Sequence, residues 1–290
     1  MIYEALPRRV GRIWGALADP AGGPVGEIYW VYHDDGGSAG LVGAGEDRTS
    51  VEELCSRGWL PVRNGRYPLL VKTLHPAREL SVQVHPGRKG GPRKDETWLV
   101  LEADPGAWMM GGLAAGVDRR RLEAAIRQGR AEEALQRIPL KAGDTVHLPA
   151  GSVHSLGGGV EVLEIQSNTD ITYRLYDYNR TGSDGRPRPL HLEKGLEAVD
   201  YARRGAPDTR GEWERLEDLE APYALRRVRE GVRLSAGEIL FLTDGRMELP
   251  GGRGLEARSC ILAAGDGGRV DLEGEGVIAS PRTGLEQDYV

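Results

Sequence analysis

AGDTVHLPAGSVHSL, residues 142–156, is the stretch on which the fold turns. Gly143 is followed by five residues, Pro149, one residue, Gly151, two residues and His154. That spacing predicts a strand, a Pro-Gly turn and a histidine at the start of the returning strand. Strand-turn-His returns of this kind are typical of small metal-binding β barrels. The composition agrees: 42 Gly and 17 Pro in 290 residues favour turns and short strands over long helices.

Moving outward, YPLLVKTL (67–74), ELSVQVHP (79–86), ETWLVLEA (96–103), GVEVLEIQ (159–166) and DITYRLYDYN (170–179) all read as strands. Alternation along Leu80–His85 puts Ser81, Gln83 and His85 on one face and Val82 and Val84 on the other. Lys94, Glu96 and Trp98 likewise share a face, and Glu164, Asp170, Thr172 and Arg174 share even parity across a turn that can shift the register. His85 and His154 offer imidazoles, Glu96 a carboxylate and Gln83 an amide oxygen. This mixed N/O set suits zinc, and also manganese, iron or cobalt. A lone strand histidine is more often a hydrogen-bonded structural residue, which is the reading for His33, His75 and His191. His147 sits between Val146 and Leu148, so alternation does not assign its face. Glu164 lies between Leu163 and Ile165, where a solvated carboxylate is not expected. Arg174, between Tyr173 and Leu175, is costly to bury without an anionic partner or ligand. Arg88 and Lys89, in a Gly/Pro-rich loop, read as solvated.

Two helices are expected. Ser50 and Glu53 form a capping box ahead of Val51, and Asp118 caps a helical insertion over about 118–138. The fold class is therefore all-β dominated, divided into a metal-binding catalytic barrel over 1–200 and a smaller C-terminal β domain over 201–290 without metal ligands. All six histidines precede residue 192, which keeps histidine chemistry out of the last third.

The net charge of -6 argues against nucleic-acid and anionic-membrane partners, which need a basic face. Only five of the 38 basic residues are lysines (72, 89, 94, 141 and 194), so Lys72 and Lys94 beside candidate ligands stand out. The two cysteines, Cys55 and Cys260, are too few for a disulfide framework. No apolar leader core or 18-residue apolar run occurs, so neither a signal peptide nor a membrane span is expected, and the expected location is the cytoplasm. The sequence sets no oligomeric state.

The segments RIWG (12–15), PLLVKTL, ELSVQVHP, KDETWLVL, the Pro-Gly-His return and EIQSNTDITYRLYDYNR together resemble the type I mannose-6-phosphate isomerase (phosphomannose isomerase) family in its short bacterial form. They run in family order over roughly residues 8–200. The resemblance implies a cupin, jelly-roll-like barrel with a second cupin-like domain, and one zinc ion held by Gln83, His85, Glu96 and His154. It places the catalytic arginine on Arg174, puts Lys94, Glu164 and Asp170 around the reacting carbons, and assigns the substrate phosphate to Lys72 and Ser81. The implied reaction of mannose metabolism interconverts mannose 6-phosphate and fructose 6-phosphate through an enediolate. Which of Lys94, Glu164 and Asp170 moves the proton stays open. Two departures from the family are a helical insertion that is often longer and a C-terminal part that here is short, Arg-rich and free of histidine.

Three other functions fit the same residues. One is isomerisation of another phosphorylated or free sugar, which pocket shape rather than motif decides. A cupin oxygenase would use His85, Glu96 and His154 as a two-His-one-carboxylate iron site; Gln83 and the cation-rich pocket weigh against it. A non-catalytic sugar-binding cupin is disfavoured because every proposed catalytic position is filled.

Overall fold

In the computed structural model, which describes residues 1–282 except 21, 88–91, 183 and 204, the strands form two stacked antiparallel sheets, a third large sheet behind them and a two-stranded hairpin of His33–Asp34 with Gly37–Ser38. Arg88 and Lys89 lie outside the described residues. Leu69–Leu74 is buried at every position because both of its faces are covered. It sits inside an eight-stranded sheet ordered Asp208–Arg210, Thr145–Leu148, Glu96–Ala103, Val160–Ser167, Leu69–Leu74, Pro24–Val31, Arg8–Gly11, with Leu17–Ala18 paired to Pro24–Val31. Facing it is a five-stranded sheet ordered Leu135–Pro139, Trp108–Leu113, Val153–Leu156, Val82–Val84, Tyr173–Tyr176. Trp98, Val100, Met109, Val146, Leu156 and Val162 pack between the two. Each such side chain, fully buried, contributes about 1.5–3 kcal/mol. The outer face of the five-stranded sheet, Val82 and Val84 included, is covered by helices Arg119–Arg127 and Leu192–Ala198 through Leu122, Ile126 and Leu196.

The third sheet has ten strands, mostly from beyond residue 214, yet Ser259–Ala263 pairs with Ile2–Ala5, which pairs in turn with Gly40–Gly43. In the other direction, Asp208–Arg210 joins the eight-stranded sheet beside Thr145–Leu148. A boundary near residue 200 thus divides the chain but not its sheets, because edge strands from each side complete the other's ladder.

Both helix starts are as expected. Ser50 accepts from the Glu53 amide at 3.1 Å and Asp118 from the Arg121 amide at 2.8 Å. The insertion, however, is not helical to residue 138. Its helix ends at Arg127; Gly129, at φ 72°, takes the left-handed conformation that ends helices, and a 3₁₀ turn at Ala131–Ala134 leads into strand Leu135–Pro139. Leu135 and Ile138, whose spacing looked helical, instead lie opposite Leu113 and Met109, where the open edge of Trp108–Leu113 supplies backbone partners. Helix Leu192–Ala198 was not anticipated. Among the described residues, no helix is long and apolar enough to cross a membrane.

Candidate metal centre and its cavity

The Pro-Gly return forms as the spacing predicts. Gly151 has φ 87°, and a Cβ there would lie 3.1 Å from the Asp200 amide nitrogen, so the turn needs glycine. His154 then enters its strand directly opposite Gln83, and Gln83 lies opposite Arg174 on the other side. Residues opposed on a ladder project from the same face, so Arg174, Gln83 and His154 form one row of the five-stranded sheet. The eight-stranded sheet supplies a second row in which Tyr29 opposes Lys72, Lys72 opposes Glu164, and Glu164 opposes Trp98. Glu96 follows two residues before Trp98 on the same face.

His85, Glu96 and His154 converge, with ligand atoms within 4.8 Å of one another and all three side chains buried. Each imidazole directs Nδ1 at a backbone carbonyl, His85 at Ile171 (3.0 Å) and His154 at Ser152 (3.0 Å). The carbonyls require N–H at Nδ1, which turns Nε2 of each ring inward. Both Nε2 atoms face the Glu96 carboxylate: His85 Nε2 is 3.0 Å from Oε2 and His154 Nε2 is 3.1 Å from Oε1. The Lys94 ammonium, 3.2 Å from His85 Nε2, already brings one positive charge between that ring and Glu96, and a metal ion would bring further positive charge to all three ligands. Glu96 Oε1 is moreover buried without a hydrogen-bond donor. Burial lowers the His85 pKa to about 4 against the pull of Glu96, so its ring is neutral near pH 7. Burial opposes ionisation of Glu96, but the imidazoles and Lys94, 3.1 Å away, keep it ionised. A neutral His85 and an ionised Glu96 are in the protonation states that a divalent metal requires, so the donor set fits one. Gln83 Nε2 lies 3.2 Å from His154 Nε2, and its Oε1 accepts from Ser81 at 3.2 Å; a half-turn of the amide brings the oxygen toward the cluster.

Beside this cluster opens a cavity of about 340 Å³ lined by Ser81, Gln83, Lys94, Glu96, Glu164, Lys72, Asp170 and Arg174, all singled out from the sequence. His85 and His154 stand behind Gln83 and Glu96. Glu164 accepts from the Trp98 indole at 3.2 Å and lies 3.4 Å from the Lys72 ammonium and 3.8 Å from that of Lys94. Burial raises its pKa to about 7, the two lysines pulling the other way. Lys72 is buried too: besides Glu164 it contacts Glu27 at 3.0 Å, and although burial opposes its charge, the two carboxylates hold it protonated well above the usual range. Asp170 accepts from Tyr29 Oη at 3.3 Å and also lines a neighbouring cavity of about 610 Å³.

The cavity wall includes three charged residues to which sequence reasoning gave no role: Arg12, Glu27 and Arg188. Arg12 pairs with Glu27, and Arg188 with buried Asp177. Arg12 lay within the RIWG segment, but only the strand pairing in space shows that it faces the site. The other histidines have local partners: His33 accepts from the Tyr67 amide, His75 meets Thr73 Oγ1, and His191 accepts from the Arg174 amide.

No family model matches the chain. The mannose-6-phosphate isomerase ManA of Bacillus subtilis is 39% identical over 142 residues, 47% of this chain and 45% of that protein. A mannose-6-phosphate isomerase of Streptococcus mutans is 38% identical over 143 residues, with the same coverage. The aligned region thus spans less than half the length of these relatives. In fold, the crystal structure of the Bacillus subtilis mannose 6-phosphate isomerase superposes with a TM-score of 0.82 over 96% of this chain and 99% of its own, at 23% identity. The chain is thus similar in sequence to mannose-6-phosphate isomerases over just under half its length, and it shares the fold of one of them over nearly all of it.

Proposed function

We propose that the protein is a metal-dependent aldose-ketose isomerase that interconverts mannose 6-phosphate and fructose 6-phosphate. The observation that carries this reading is the pairing, in one cavity, of a His/His/Glu cluster with a buried carboxylate, Glu164, whose pKa lies near 7. The reaction must remove a proton from carbon 2 and deliver one to carbon 1, with no net redox change, so a carboxylate that gains and loses a proton near neutrality suits both steps. Glu164 is therefore our choice over Lys94 and Asp170. Lys94, between Glu96 and Glu164, brings positive charge to the oxygen that becomes anionic as the enediolate forms. Arg174 places the substrate along the row that leads from Gln83.

His85, His154, Glu96 and Gln83 would hold the ion, and their N/O donors favour zinc, with other divalent metals able to compete. When bound, zinc supplies Lewis-acid polarisation of a substrate oxygen. Ser81 and Lys72 remain candidates for substrate contact, although both are already engaged, by Gln83 and by Glu27 with Glu164. A cytoplasmic location accords with a phosphorylated substrate and with two unpaired cysteines, Cys260 being buried.

The test is a coupled assay on mannose 6-phosphate, run before and after chelation and after zinc is restored. Turnover that chelation removes and zinc restores supports the reading. Turnover indifferent to chelation removes the metal from it, and no turnover on this sugar removes the substrate.

A further inference from the structure

We propose, resting on the isomerase reading, that Arg188 and Arg12 together with Arg174 form the clamp that holds the substrate's phosphate, and that Lys72 is an internal counter-ion rather than part of that clamp.

Charge balance is the first argument. Five cations line the cavity (Arg12, Lys72, Lys94, Arg174 and Arg188) against four carboxylates (Glu27, Glu96, Glu164 and Asp170). A divalent ion on the His/His/Glu cluster raises the positive excess further, and a dianion offsets it. The excess is not spread evenly. Lys72 and Lys94 lie within 4 Å of carboxylates on both sides, as Glu27, Glu164 and Glu96 intervene. The arginines are different. Among the described residues no carboxylate lies within ion-pair distance of Arg174, whose Nη1 donates only to the Pro189 carbonyl at 2.8 Å and whose buried Nε has no partner.

The second argument is preorganisation. Arg188 donates through Nε and Nη2 to Asp177, a carboxylate only 4% exposed, which leaves Nη1 free of that anchor. Arg12 is held more loosely, meeting Glu27 through Nη2 alone while Nη1 donates to the Gly11 carbonyl at 3.3 Å. A guanidinium held by a buried acid on one edge and presenting its other edge to a cavity is arranged for bidentate recognition of an oxyanion. The segment that carries Arg188 is zipped to the strand that carries Arg174, with the His191 amide donating to the Arg174 carbonyl at 2.8 Å and the Arg174 amide to His191 Nδ1 at 3.2 Å. Their positions are thus coupled.

Position is the third argument. In ladder order His154, Gln83 and Arg174 occupy neighbouring strands, so the arginine backbone stands about 10 Å from that of the metal-cluster histidine at roughly 4.8 Å per strand. A hexose 6-phosphate needs such a separation, because its reacting end and its phosphate lie at opposite ends of the carbon chain.

The experiment uses the metal-loaded protein and the variants Arg188→Gln, Arg188→Lys and Lys72→Met, with melting temperatures to verify folding. Two readouts are taken: kcat and KM on mannose 6-phosphate, and calorimetric affinity for inorganic phosphate. Arg188→Gln should raise KM and weaken phosphate binding about tenfold or more, the loss expected for one charge-assisted contact, with kcat nearly unchanged. Arg188→Lys, which keeps the charge and loses the fork, should fall between. Lys72→Met should lower kcat and leave phosphate affinity alone. Wild-type phosphate affinity in a folded Arg188→Gln protein, or its loss in Lys72→Met, overturns the clamp. Phosphate binding that depends on Arg188 in a protein that does not isomerise the sugar would uphold the clamp and sink the isomerase reading instead.

Discussion

Between the five- and eight-stranded sheets the interior holds Lys72, Lys94, Glu96, Glu164, His85 and His154 alongside Trp98 and Met109. The interior of the ten-stranded sheet holds Leu234, Leu240, Leu242, Met247, Ile261 and Ile278, and among the described residues that follow residue 177 in the sequence no charged side chain is buried. The two regions share antiparallel strands and short turns, so backbone architecture does not explain the difference. Burying ionisable groups costs free energy that an apolar core avoids. The first interior bears this cost where ligands converge, while the second contributes burial alone. The contrast teaches that chemistry and stability are assigned to different layers of one molecule.

The most drastic way to break this division is His154→Ala. It should lose the metal on dialysis and reduce turnover by more than the roughly 10–100-fold typical of losing an outer-shell partner. Metal analysis beside the coupled assay decides, and a variant that keeps both metal and rate would show that the charged interior is structural. Glu164→Gln should retain metal but lower kcat by about 10²–10⁴, the range for a general acid-base group; an unchanged kcat would move the proton to Lys94 or Asp170.

Acid offers a gentler probe. The folded-state pKa of His85, about 4, lies below its unfolded value of 6.5, so the unfolded chain binds this proton first. The stability that neutral His85 contributes is complete above pH 6.5 and is lost as pH falls through about 4. Denaturant midpoints of the metal-free protein should therefore drop between pH 7 and pH 4, and metal affinity should fall over the same window. His85→Ala should flatten that His85-dependent part of the slope. The smallest effect on catalysis is expected from Leu240→Ala in the apolar layer. It should cost about 2–5 kcal/mol in chemical denaturation while kcat stays the same. A fall in kcat would show that the layers are coupled after all.

Much of the charged interior was legible beforehand because a strand reveals its faces by parity. Ser81, Gln83 and His85 alternate with two valines, and the Pro149–Gly151 turn announces the return that brings His154 opposite Gln83. What parity cannot supply is the identity of the neighbouring strand. Glu27 and Arg12 sit in a loop-rich N-terminal stretch, and their place beside Lys72 depends on Pro24–Val31 pairing with Leu69–Leu74, a long-range choice without a local signature. Arg188 was missed for a related reason: its segment has no strand pattern, and its position is set by the buried Asp177. The helical reading of residues 128–138 failed because the apolar spacing of Leu135 and Ile138 also suits an edge strand, and Gly129 decided between them. The single boundary near residue 200 missed the exchanged strands, since composition shifts mark linkers rather than ladder partners.

That exchange also governs the order of assembly. Ile2–Ala5 has a nearby partner in Gly40–Gly43 on one side, but on the other it pairs with Ser259–Ala263, the register running from Ile2 opposite Ala263 to Glu4 opposite Ile261. During synthesis one edge of this strand must wait unpaired until nearly all the intervening chain has emerged, whereas the hairpins of the barrel that carries the His/His/Glu cluster can close earlier. A ladder of such sequence separation carries a high loop-closure entropy and forms slowly. The ten-stranded sheet is thereby a late clasp: it closes behind the eight-stranded sheet and ties the earliest residues of the fold to some of its last.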